Sequence, residues 1–191
     1  MLYLRRLDAG EDQQAGQHWA AYDALSWGLW QEYGLRHAVL ERLERGKPFL
    51  PGHPAVHVNV THCRGLAGAA VDAAPVGVDA EPVRPLRERV LRRACAREEQ
   101  EWVLSQPDPD YAFIRLWTAK ESYVKATGTG IGVPLQEVAF TLTDGSIRSR
   151  MEAGFTQLLL PEHVITICHK EGKGRVLSLC PKEEWICWNW I

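Results

Sequence analysis

Several features are missing from this sequence, and each absence narrows the function. No stretch approaches the roughly 18–20 consecutive apolar residues of a membrane-spanning helix. The start, MLYLRRLDAGED, becomes charged after four residues, whereas a signal peptide needs a longer apolar region. The formal net charge is -2, whereas a general nucleic-acid binder is usually basic overall. We therefore expect a cytoplasmic protein that binds neither a membrane nor nucleic acid.

Cysteine is scarce, and its spacing is irregular. The five residues are an odd number, and no two of them have the C-x-x-C spacing of many metal and redox sites. This argues against a disulfide framework and against a structural zinc site. We expect buried, reduced thiols at Cys63, Cys95, Cys168, Cys180 and Cys187.

What is present is the composition of an ordinary globular protein. Hydrophobic residues make up 46% of the chain and charged residues 24%. With 191 residues, the chain is long enough for one large domain or for two small halves with a real core.

Apolar residues at spacings of three and four predict helices in four places. The predicted helices cover residues 13–32, 35–44, 86–105 and 111–127. Asp110 is the expected N-cap of the fourth helix, and Gly128 is its expected C-cap.

Short segments rich in β-branched or small apolar residues predict strands between and after these helices. The predicted strands cover residues 2–4, 56–60, 66–72, 75–81, 137–143, 147–151, 163–170 and 175–180, with a turn at Asp144 and Gly145. The second to fourth strands suggest an antiparallel meander, and the last two suggest a hairpin. Helices followed by strands occur twice, so we expect an α+β fold with two similar halves, residues 1–84 and 85–191. The aromatic-rich tail EEWICWNWI either packs on the core or contacts another protein.

Two carboxylates stand close together in the segment VGVDAEP. Asp79 and Glu81 are two residues apart on a predicted strand, so both side chains point to the same face. Like charges this close repel each other unless a cation joins them, and hard oxygen ligands suit Mg²⁺. Two interpretations stand: half of a magnesium site, or a strand end with two solvated acids.

The predicted helix over 111–127 carries charges on and beside its apolar face. Trp117, Lys120, Glu121 and Val124 have helical spacing that places them on one face. Lys120 and Glu121 are then partly buried charges that need partners. Glu121 and Lys125 are also four residues apart, the favourable order for a helical ion pair. The segment is therefore either part of a polar site or an ordinary helix with a surface ion pair.

Two further residues have positions that allow contact with a phosphate. His62 ends a predicted strand in the segment VNVTHCRG, and Lys47 lies in the turn RGKPFLP. Each also has a simpler interpretation, a structural histidine and a solvated lysine.

Together these segments resemble a known family. In order, the chain reads G-K-P, N-x-T-H, G-V-D-x-E-P and W-x-x-K-E-S-x-x-K-x-x-G-x-G. This pattern resembles the 4′-phosphopantetheinyl transferase superfamily, in its larger form built from two fused halves. The resemblance runs from Gly46 to the VPLQEVAF segment. It implies an α+β fold of two similar halves, with helices packed on small antiparallel sheets and related by a pseudo-twofold axis, and it implies a monomer.

The resemblance also implies a reaction. In this family Mg²⁺ is held by three acids, which correspond here to Asp79, Glu81 and Glu121. The 4′-phosphopantetheine group passes from coenzyme A to a serine hydroxyl of an acyl, peptidyl or aryl carrier protein, and 3′,5′-ADP is released. Asp79, Glu121 and Lys125 are the implied catalytic residues. Glu121 accepts the serine proton directly or through a metal-bound water, and Lys125 stabilises the pyrophosphate or protonates the leaving group.

The implied coenzyme A contacts involve further basic residues. His62 would contact the 3′-phosphate, with Thr61 as a neighbouring hydroxyl donor, and Lys47 and Arg36 would contact the nucleotide end. Lys120 would either contact a phosphate or form a structural pair.

The chain departs from the family pattern in three places: before Gly46, where it is short, at the A-C-A of residues 94–96, and after His62, where Cys63 and Arg64 replace the more usual small residues. The second departure concerns the carrier-binding surface. Two other functions remain as alternatives: a non-catalytic homologue that binds coenzyme A or a carrier protein, and a Mg²⁺-dependent phosphohydrolase.

Overall fold

The structure is a computed structural model that describes residues 1–143, 146–170, 177–182 and 185–190; for residues 131, 143, 146, 177–182 and 185–190 it describes the backbone alone. The helices are α1 (Gln14–Tyr33), α2 (Glu88–Ala94), α3 (Arg97–Ser105) and α4 (Pro109–Thr127). The strands are β1 (Leu2–Arg6), β2 (Glu41–Arg42), β3 (Pro48–Phe49), β4 (His57–Cys63), β5 (Leu66–Asp72), β6 (Val76–Pro82), β7 (Phe140–Thr143), β8 (Ser146–Ser149), β9 (Gly154–Leu159), β10 (His163–His169), β11 (Leu177–Lys182) and β12 (Trp185–Trp190).

Helix α1 covers one face of a five-stranded antiparallel sheet whose strand order is β11-β12-β1-β5-β4. The apolar side of the helix, with Ala24, Leu25 and Leu29, packs on Tyr3 and Val71 of the sheet. The prediction of a helix over 13–32 is therefore confirmed to within one residue at each end.

Helix α4 covers a three-stranded sheet whose strand order is β6-β10-β9. A Cβ atom at Gly77 of β6 would lie 2.1 Å from the Ser122 carbonyl oxygen and 2.3 Å from the Ala126 nitrogen. The helix backbone therefore lies directly on the strand at this point, and no larger residue fits there. This close approach brings the last turns of α4 next to the acidic strand β6.

The two sheets share an apolar layer. Val78 and Ala80 of β6 pack in one buried cluster with Leu4 of β1 and with Ile165 and Ile167 of β10. Successive strand residues point to opposite faces, so Asp79 points away from this layer. The prediction that Ala80 and the acidic pair face opposite layers is confirmed for Ala80, which is buried in this cluster.

The prediction of an α+β fold with helices on small antiparallel sheets is confirmed. The division into halves 1–84 and 85–191 stays a prediction. Both main sheets combine strands from the two ranges, since β12 pairs with β1 and β10 pairs with β6.

Helix α4 ends as predicted and begins differently. Gly128 has the left-handed conformation of a C-cap, with φ of 70°. The N-cap is Asp108, whose side chain accepts a hydrogen bond from the Tyr111 nitrogen at 3.0 Å. The predicted N-cap Asp110 instead accepts from the Leu86 nitrogen at 2.9 Å, so its carboxylate ties the preceding loop to the helix.

The predicted helix over 35–44 is wrong. Helix α1 ends at Gly34, and the following segment leads into the short β2–β3 hairpin. Val39 and Leu43, two members of the apolar pattern, are 70% and 47% exposed. Leu35 packs against the core beside α1, but the pattern forms no continuous buried face, and tertiary packing decides the conformation of a segment this short.

The predicted helix over 86–105 is two helices, α2 and α3. The chain is extended at Cys95 and Ala96, where ψ is 137° and 162°. The Glu99 carboxylate accepts from the Ala96 nitrogen at 2.9 Å and so begins α3 anew. The apolar periodicity continues across the break because both helices pack on the same core.

Two predicted strand pairings are wrong. The predicted meander of β4, β5 and β6 is wrong because β6 pairs with β10 rather than with β5. The predicted hairpin of residues 163–170 and 175–180 is wrong because β11 pairs with β12 rather than with β10. Two side chains of β4 account for the first case: Asn59 Oδ1 and Thr61 Oγ1 accept from the Val78 and Ala80 nitrogens of β6, each at 2.9 Å.

Other predictions concern segments at the edge of the described residues. The tail forms β12 beside β1, but its side chains lie outside the described residues, so its packing on the core stays a prediction. The predicted turn at Asp144 and Gly145 also lies outside them.

The cysteine prediction is confirmed where the structure describes the side chains. Cys63, Cys95 and Cys168 are buried free thiols, and burial raises the pKa of each to about 12. The side chains of Cys180 and Cys187 lie outside the described residues. Among the described helices, none has the length and apolar character needed to cross a bilayer.

Candidate active site

A cavity of about 980 Å³ opens beside α4, and nearly all of its charged lining residues are basic. Its basic residues are Arg42, Arg45, Lys47, Arg87, Arg89, Arg93 and Lys125. Among the described lining residues, Glu121 is the acidic one. A concave surface with one sign of charge raises the local concentration of ions of the opposite sign, so this cavity suits an anionic ligand.

The last turns of α4 form one wall of the cavity. Trp117, Glu121, Val124 and Lys125 all line it. They have the i, i+4, i+7 and i+8 spacing of one helix face. Of the predicted face, Trp117, Glu121 and Val124 border the cavity, whereas Lys120 does not line it.

Lys125 joins the helix to the acidic strand. Its Nζ atom lies 2.7 Å from Asp79 Oδ1 and donates to the Val78 carbonyl oxygen at 3.2 Å. The predicted i, i+4 ion pair with Glu121 is absent from the part of the chain that the structure describes, since Lys125 pairs with Asp79 instead. The lysine side chain is 30% exposed, so it keeps access to solvent and to the cavity.

Asp79 is nearly buried and only half satisfied. Its Oδ2 atom is buried and has no hydrogen-bond partner among the described residues. Burial raises the pKa of Asp79 to about 7; Lys125 opposes this shift, while the charges of Glu81 and Glu121 add to it. The charges of Glu81 and Glu121 therefore both act on Asp79, and the grouping of the three carboxylates as metal ligands stays a prediction.

Glu121 and Glu81 complete the acidic group in different ways. Burial raises the pKa of Glu121, with Lys125 opposing and Glu81 adding to the shift. Glu81 forms an ion pair with Arg84 at 2.5 Å. In the described ranges, no three His, Cys, Asp or Glu side chains are grouped closely enough to hold a metal ion as they stand.

The donor chemistry of the acidic group nevertheless fits Mg²⁺. Three carboxylates supply hard oxygen atoms, and one buried oxygen, Asp79 Oδ2, lacks a partner. Neighbouring negative charges raise the pKa of Asp79 and Glu121, and a cation would relieve that repulsion. In this structure the cationic partners are Lys125 and Arg84.

Lys120 does not share the cavity with Lys125. Its side chain is 0% exposed, and its Nζ atom forms an ion pair with Glu99 at 2.7 Å. The same atom donates to the Leu135 and Val138 carbonyl oxygens at 2.8 and 2.7 Å. Of the two roles left open by the sequence, this environment favours structural pairing over contact with a phosphate.

The residues expected at the nucleotide end lie in three separate environments. Lys47 lines the cavity, and its Nζ atom donates to the Ala126 carbonyl oxygen at 2.5 Å; burial lowers its pKa to about 8. Thr61 is buried and binds β6 through its hydroxyl. Arg36 is exposed and stacks over the Trp30 ring at 4.7 Å.

His62 is half-buried beside a second histidine. The rings of His62 and His18 meet edge to face, with their centroids 5.8 Å apart. Burial lowers the pKa of His62, and the neighbouring His18 and Lys125 side chains lower it further. This environment disfavours a charged imidazole until an anion is present.

The sequence did not single out the arginines of the cavity. Arg87, Arg89 and Arg93 come from the start and body of α2, and Arg42 and Arg45 come from the β2–β3 hairpin. Arg45 donates to the Thr129 carbonyl oxygen at 2.6 Å, which joins the hairpin to the loop after α4. The high arginine content of RERVLRRA was the available signal, but solvent-exposed helices have the same composition.

Comparisons with known proteins identify the family of the chain. The model of the 4′-phosphopantetheinyl transferase superfamily matches residues 75–180. A 4′-phosphopantetheinyl transferase of Bacillus pumilus, psf-1, is 32% identical over 131 residues, which cover 68% of this chain and 53% of that protein. The transferase Sfp of Bacillus subtilis strain 168 is 32% identical over 108 residues, 54% of this chain and 48% of that protein.

The chain spans about half the length of the first curated relatives that it matches. Among solved structures, the crystal structure of Thermotoga maritima holo-[acyl-carrier-protein] synthase is 18% identical, with a TM-score of 0.44, covering 58% of this chain and 70% of that one. The family match covers more than half of the chain and includes both the acidic strand and helix α4. The chain belongs to the 4′-phosphopantetheinyl transferase superfamily.

Proposed function

We propose that this chain transfers the 4′-phosphopantetheine group of coenzyme A to a serine hydroxyl of an apo carrier protein, with Mg²⁺ as the metal and 3′,5′-ADP as the second product. The observation that carries the proposal is the basic cavity with Glu121 and Lys125 on its wall, next to buried Asp79. A cavity with seven basic lining residues suits a ligand with several phosphates. The names of its relatives support the same reaction.

The metal would be held by Asp79, Glu81 and Glu121, whose donor chemistry fits Mg²⁺. When bound, Mg²⁺ supplies charge neutralisation and polarisation for the pyrophosphate. In its absence, Lys125 and Arg84 already balance part of the acidic charge.

The chain's own side chains would act on the proton and on the phosphates. The serine oxygen forms a new bond to the phosphorus that bears pantetheine, and the bond from that phosphorus to the bridging oxygen breaks. The leaving 3′,5′-ADP takes the electron pair of that bond. Glu121 accepts the serine proton, directly or through a water, and its raised pKa makes it a stronger base than a solvated carboxylate.

The cationic residues would position the phosphates. Phosphoryl transfer depends mainly on positioning and on electrostatic stabilisation of developing charge. Lys125 faces the cavity with an ammonium group that would neutralise the leaving phosphate. Arg45, Arg89 and Lys47 would hold the rest of the pyrophosphate and the nucleotide end.

The remaining predicted contacts are part of the same proposal. His62 would bind the 3′-phosphate, because a bound anion favours the charged imidazole, whereas burial and the neighbouring His18 and Lys125 side chains lower its pKa. The Thr61 hydroxyl accepts from Ala80 and still has its own proton to donate. Arg36 would make a peripheral phosphate contact. We also propose that the chain acts in the cytoplasm as a monomer, as the resemblance implies.

The direct test is to incubate the chain with coenzyme A, Mg²⁺ and a panel of apo carrier proteins and to weigh the carriers by mass spectrometry. We expect one carrier to gain one phosphopantetheine group, with an equal amount of 3′,5′-ADP. Glu121→Gln should abolish this gain, and the remote surface variant Arg97→Ala should retain it. If the folded chain modifies no carrier of any class, the proposal fails.

A non-catalytic homologue is the second candidate. It is favoured by the engagement of Asp79 with Lys125 and of Glu81 with Arg84, which leaves no grouped metal ligands in the described part of the chain. This candidate predicts that coenzyme A or a carrier binds, as measured by calorimetry, without turnover at any Mg²⁺ concentration. Cleavage of coenzyme A in the absence of a carrier would instead support a phosphohydrolase.

A further inference from the structure

Lys120 is a fully buried lysine on the helix that forms the wall of the cavity. It precedes Glu121, but neighbouring helix residues are about 100° apart around the axis, so the two side chains point in different directions. Lys120 has 0% exposure, whereas Glu121 lines the cavity. Burying an ammonium group costs folding free energy unless the group is paired and hydrogen-bonded. The partners of Lys120 therefore indicate its structural role.

The ammonium has three partners, which equals its number of hydrogen-bond donors. They are Glu99 Oε2 at 2.7 Å, the Leu135 carbonyl oxygen at 2.8 Å and the Val138 carbonyl oxygen at 2.7 Å. No donor is left for a ligand. Lys120 therefore does not contact a phosphate in this arrangement, and two of its three bonds go to a single short backbone segment.

Glu99 extends the connection to a second helix and to a strand. Its Oε2 atom also accepts from the Ala96 nitrogen at 2.9 Å, and its Oε1 atom accepts from the Phe140 nitrogen at 3.2 Å. The Lys120–Glu99 pair thus joins α4 to the start of α3, to the segment 135–138 and to the start of β7.

The segment that Lys120 holds continues a wall of the cavity. Gly132, Val133, Pro134 and Leu135 all line it. Within the described residues this segment belongs to none of the sheets, and two of its backbone bonds, from Glu137 to Pro134 and from Val138 to Leu135, are internal. Val138 packs in the apolar core, and Gln136 Nε2 donates to the Arg92 carbonyl oxygen of α2 at 2.6 Å. The two bonds from Lys120 are the hydrogen bonds that tie the segment to α4.

We propose that Lys120 is a positioning residue that fixes the wall segment 132–135 against α4 through the Leu135 and Val138 carbonyl oxygens, and so sets the affinity of the cavity for coenzyme A without touching it. The proposal rests on the proposed function, in which this cavity binds coenzyme A. It assigns different tasks to the two lysines of the helix: Lys125 acts on the ligand, and Lys120 acts on the wall.

The test separates wall positioning from simple neutralisation of Glu99. Lys120→Met alone leaves the Glu99 charge buried and threatens folding. The double variant Lys120→Met/Glu99→Gln removes both charges and lacks the two carbonyl contacts, and its one amide oxygen can accept from only one of the Ala96 and Phe140 nitrogens. Glu99→Gln alone is therefore measured beside it, because it loses the same acceptor while Lys120 keeps its bonds to the Leu135 and Val138 carbonyl oxygens. Thr118→Val is the matched control, because Thr118 is buried on the same helix and bonds to Thr166 on the sheet rather than to the wall.

Two measurements are made on the full chain: the Kd for coenzyme A by calorimetry and amide hydrogen exchange across residues 132–138. In the double variant we expect faster exchange there and a Kd raised about tenfold, because affinity falls with the fraction of molecules in the competent conformation. Turnover at saturating coenzyme A should change much less than the KM. The Thr118→Val control should change neither Kd nor exchange in 132–138.

Wild-type Kd and wild-type exchange in the double variant would overturn the proposal, because Lys120 would then serve only to neutralise Glu99. If the wild-type chain binds no coenzyme A, the proposed function fails separately. In that case the exchange of 132–138 alone tests the positioning role, because it requires no ligand.

Discussion

Helix α4 carries the lysines of two lysine–carboxylate ion pairs that have the same length but differ in burial and in hydrogen bonding. Lys120 and Glu99 are 2.7 Å apart, with side chains 0% and 3% exposed. Lys125 and Asp79 are also 2.7 Å apart, with side chains 30% and 8% exposed. Both lysines belong to the same sequence segment, yet one lies in the core and the other at the cavity.

The pairs differ most in whether their hydrogen bonds are complete. Both Glu99 oxygens have partners, and Lys120 uses all of its donors. Asp79 Oδ2 is buried without a partner among the described residues, and the Asp79 pKa is raised to about 7. A complete network fixes one geometry, whereas an incomplete one is stabilised further by a ligand. The first pair is suited to architecture and the second to binding.

The largest effect should come from breaking the complete pair. Glu99→Ala leaves the Lys120 ammonium buried without its counter-ion, which costs about 3–5 kcal/mol of unfolding free energy. Chemical denaturation measures this loss. Glu101→Ala, on the same helix, removes an exposed partner of Arg97 and should cost at most about 0.5 kcal/mol. Equal denaturation midpoints for the two variants would contradict the structural role of Glu99.

Breaking the incomplete pair should affect activity rather than folding. Asp79→Asn keeps the side-chain shape but removes the charge that would bind the metal. We expect turnover to fall about 100-fold or more, the range found when a preorganised electrostatic contact is lost. Steady-state assays should show this while denaturation shows a native-like transition. Turnover within a few-fold of wild type, against retained activity in Glu101→Gln as the control, would remove Asp79 from the proposed site.

The sequence analysis predicted the surroundings of the Lys125–Asp79 pair better than it predicted the Lys120–Glu99 pair. Asp79 and Glu121 belong to short motifs with fixed spacing, and the resemblance of these motifs to the family pattern implied a shared site that the residue types alone left open. Glu99 lies in the segment REEQEW beside other acids, and nothing local marks it as the partner of a lysine 21 positions away. A long-range pair of this kind depends on how helices pack, which periodicity does not specify.

The same limit explains the fold predictions. Helices α1 and α4 were predictable because their apolar spacing is long and ends at a glycine. The pairing of β6 with β10 was not predictable, because it joins strands more than 80 residues apart in the chain. The cavity arginines were missed for a related reason: they come from α2 and from the β2–β3 hairpin, and only the tertiary fold brings them together.

The pH dependence of the unfolding free energy should reflect the raised pKa of Asp79 in the Lys125–Asp79 pair. The folded-state pKa of Asp79 is raised from 3.8 to about 7, so the folded chain binds more protons between these values. Its contribution to stability is therefore fully present below about pH 4 and is lost as the pH rises through 7. Relative to Asp79→Asn, the wild type should lose on the order of 4 kcal/mol over this range.

The same two proteins are also compared with and without Mg²⁺. If the acidic group binds the ion, millimolar Mg²⁺ at pH 8 should raise the unfolding temperature of the wild type and leave Asp79→Asn unchanged. A wild type that loses no stability relative to the variant between pH 4 and 8 contradicts the raised pKa. Equal Mg²⁺ responses in both proteins contradict the metal assignment.

We expect the smallest effect from helix α2, where one arginine is in an ion pair and another lines the cavity. Arg92 forms an ion pair with Glu88, whereas Arg89 lines the cavity and has no carboxylate partner among the described side chains. Arg89→Ala should therefore raise the KM for coenzyme A about threefold to fivefold, and Arg92→Ala should leave it unchanged. Because exposed charges are screened by salt, the difference between the variants should shrink as ionic strength increases. Equal KM values at low salt would mean that an unpaired arginine on the cavity wall contributes no more to binding than a paired one outside it.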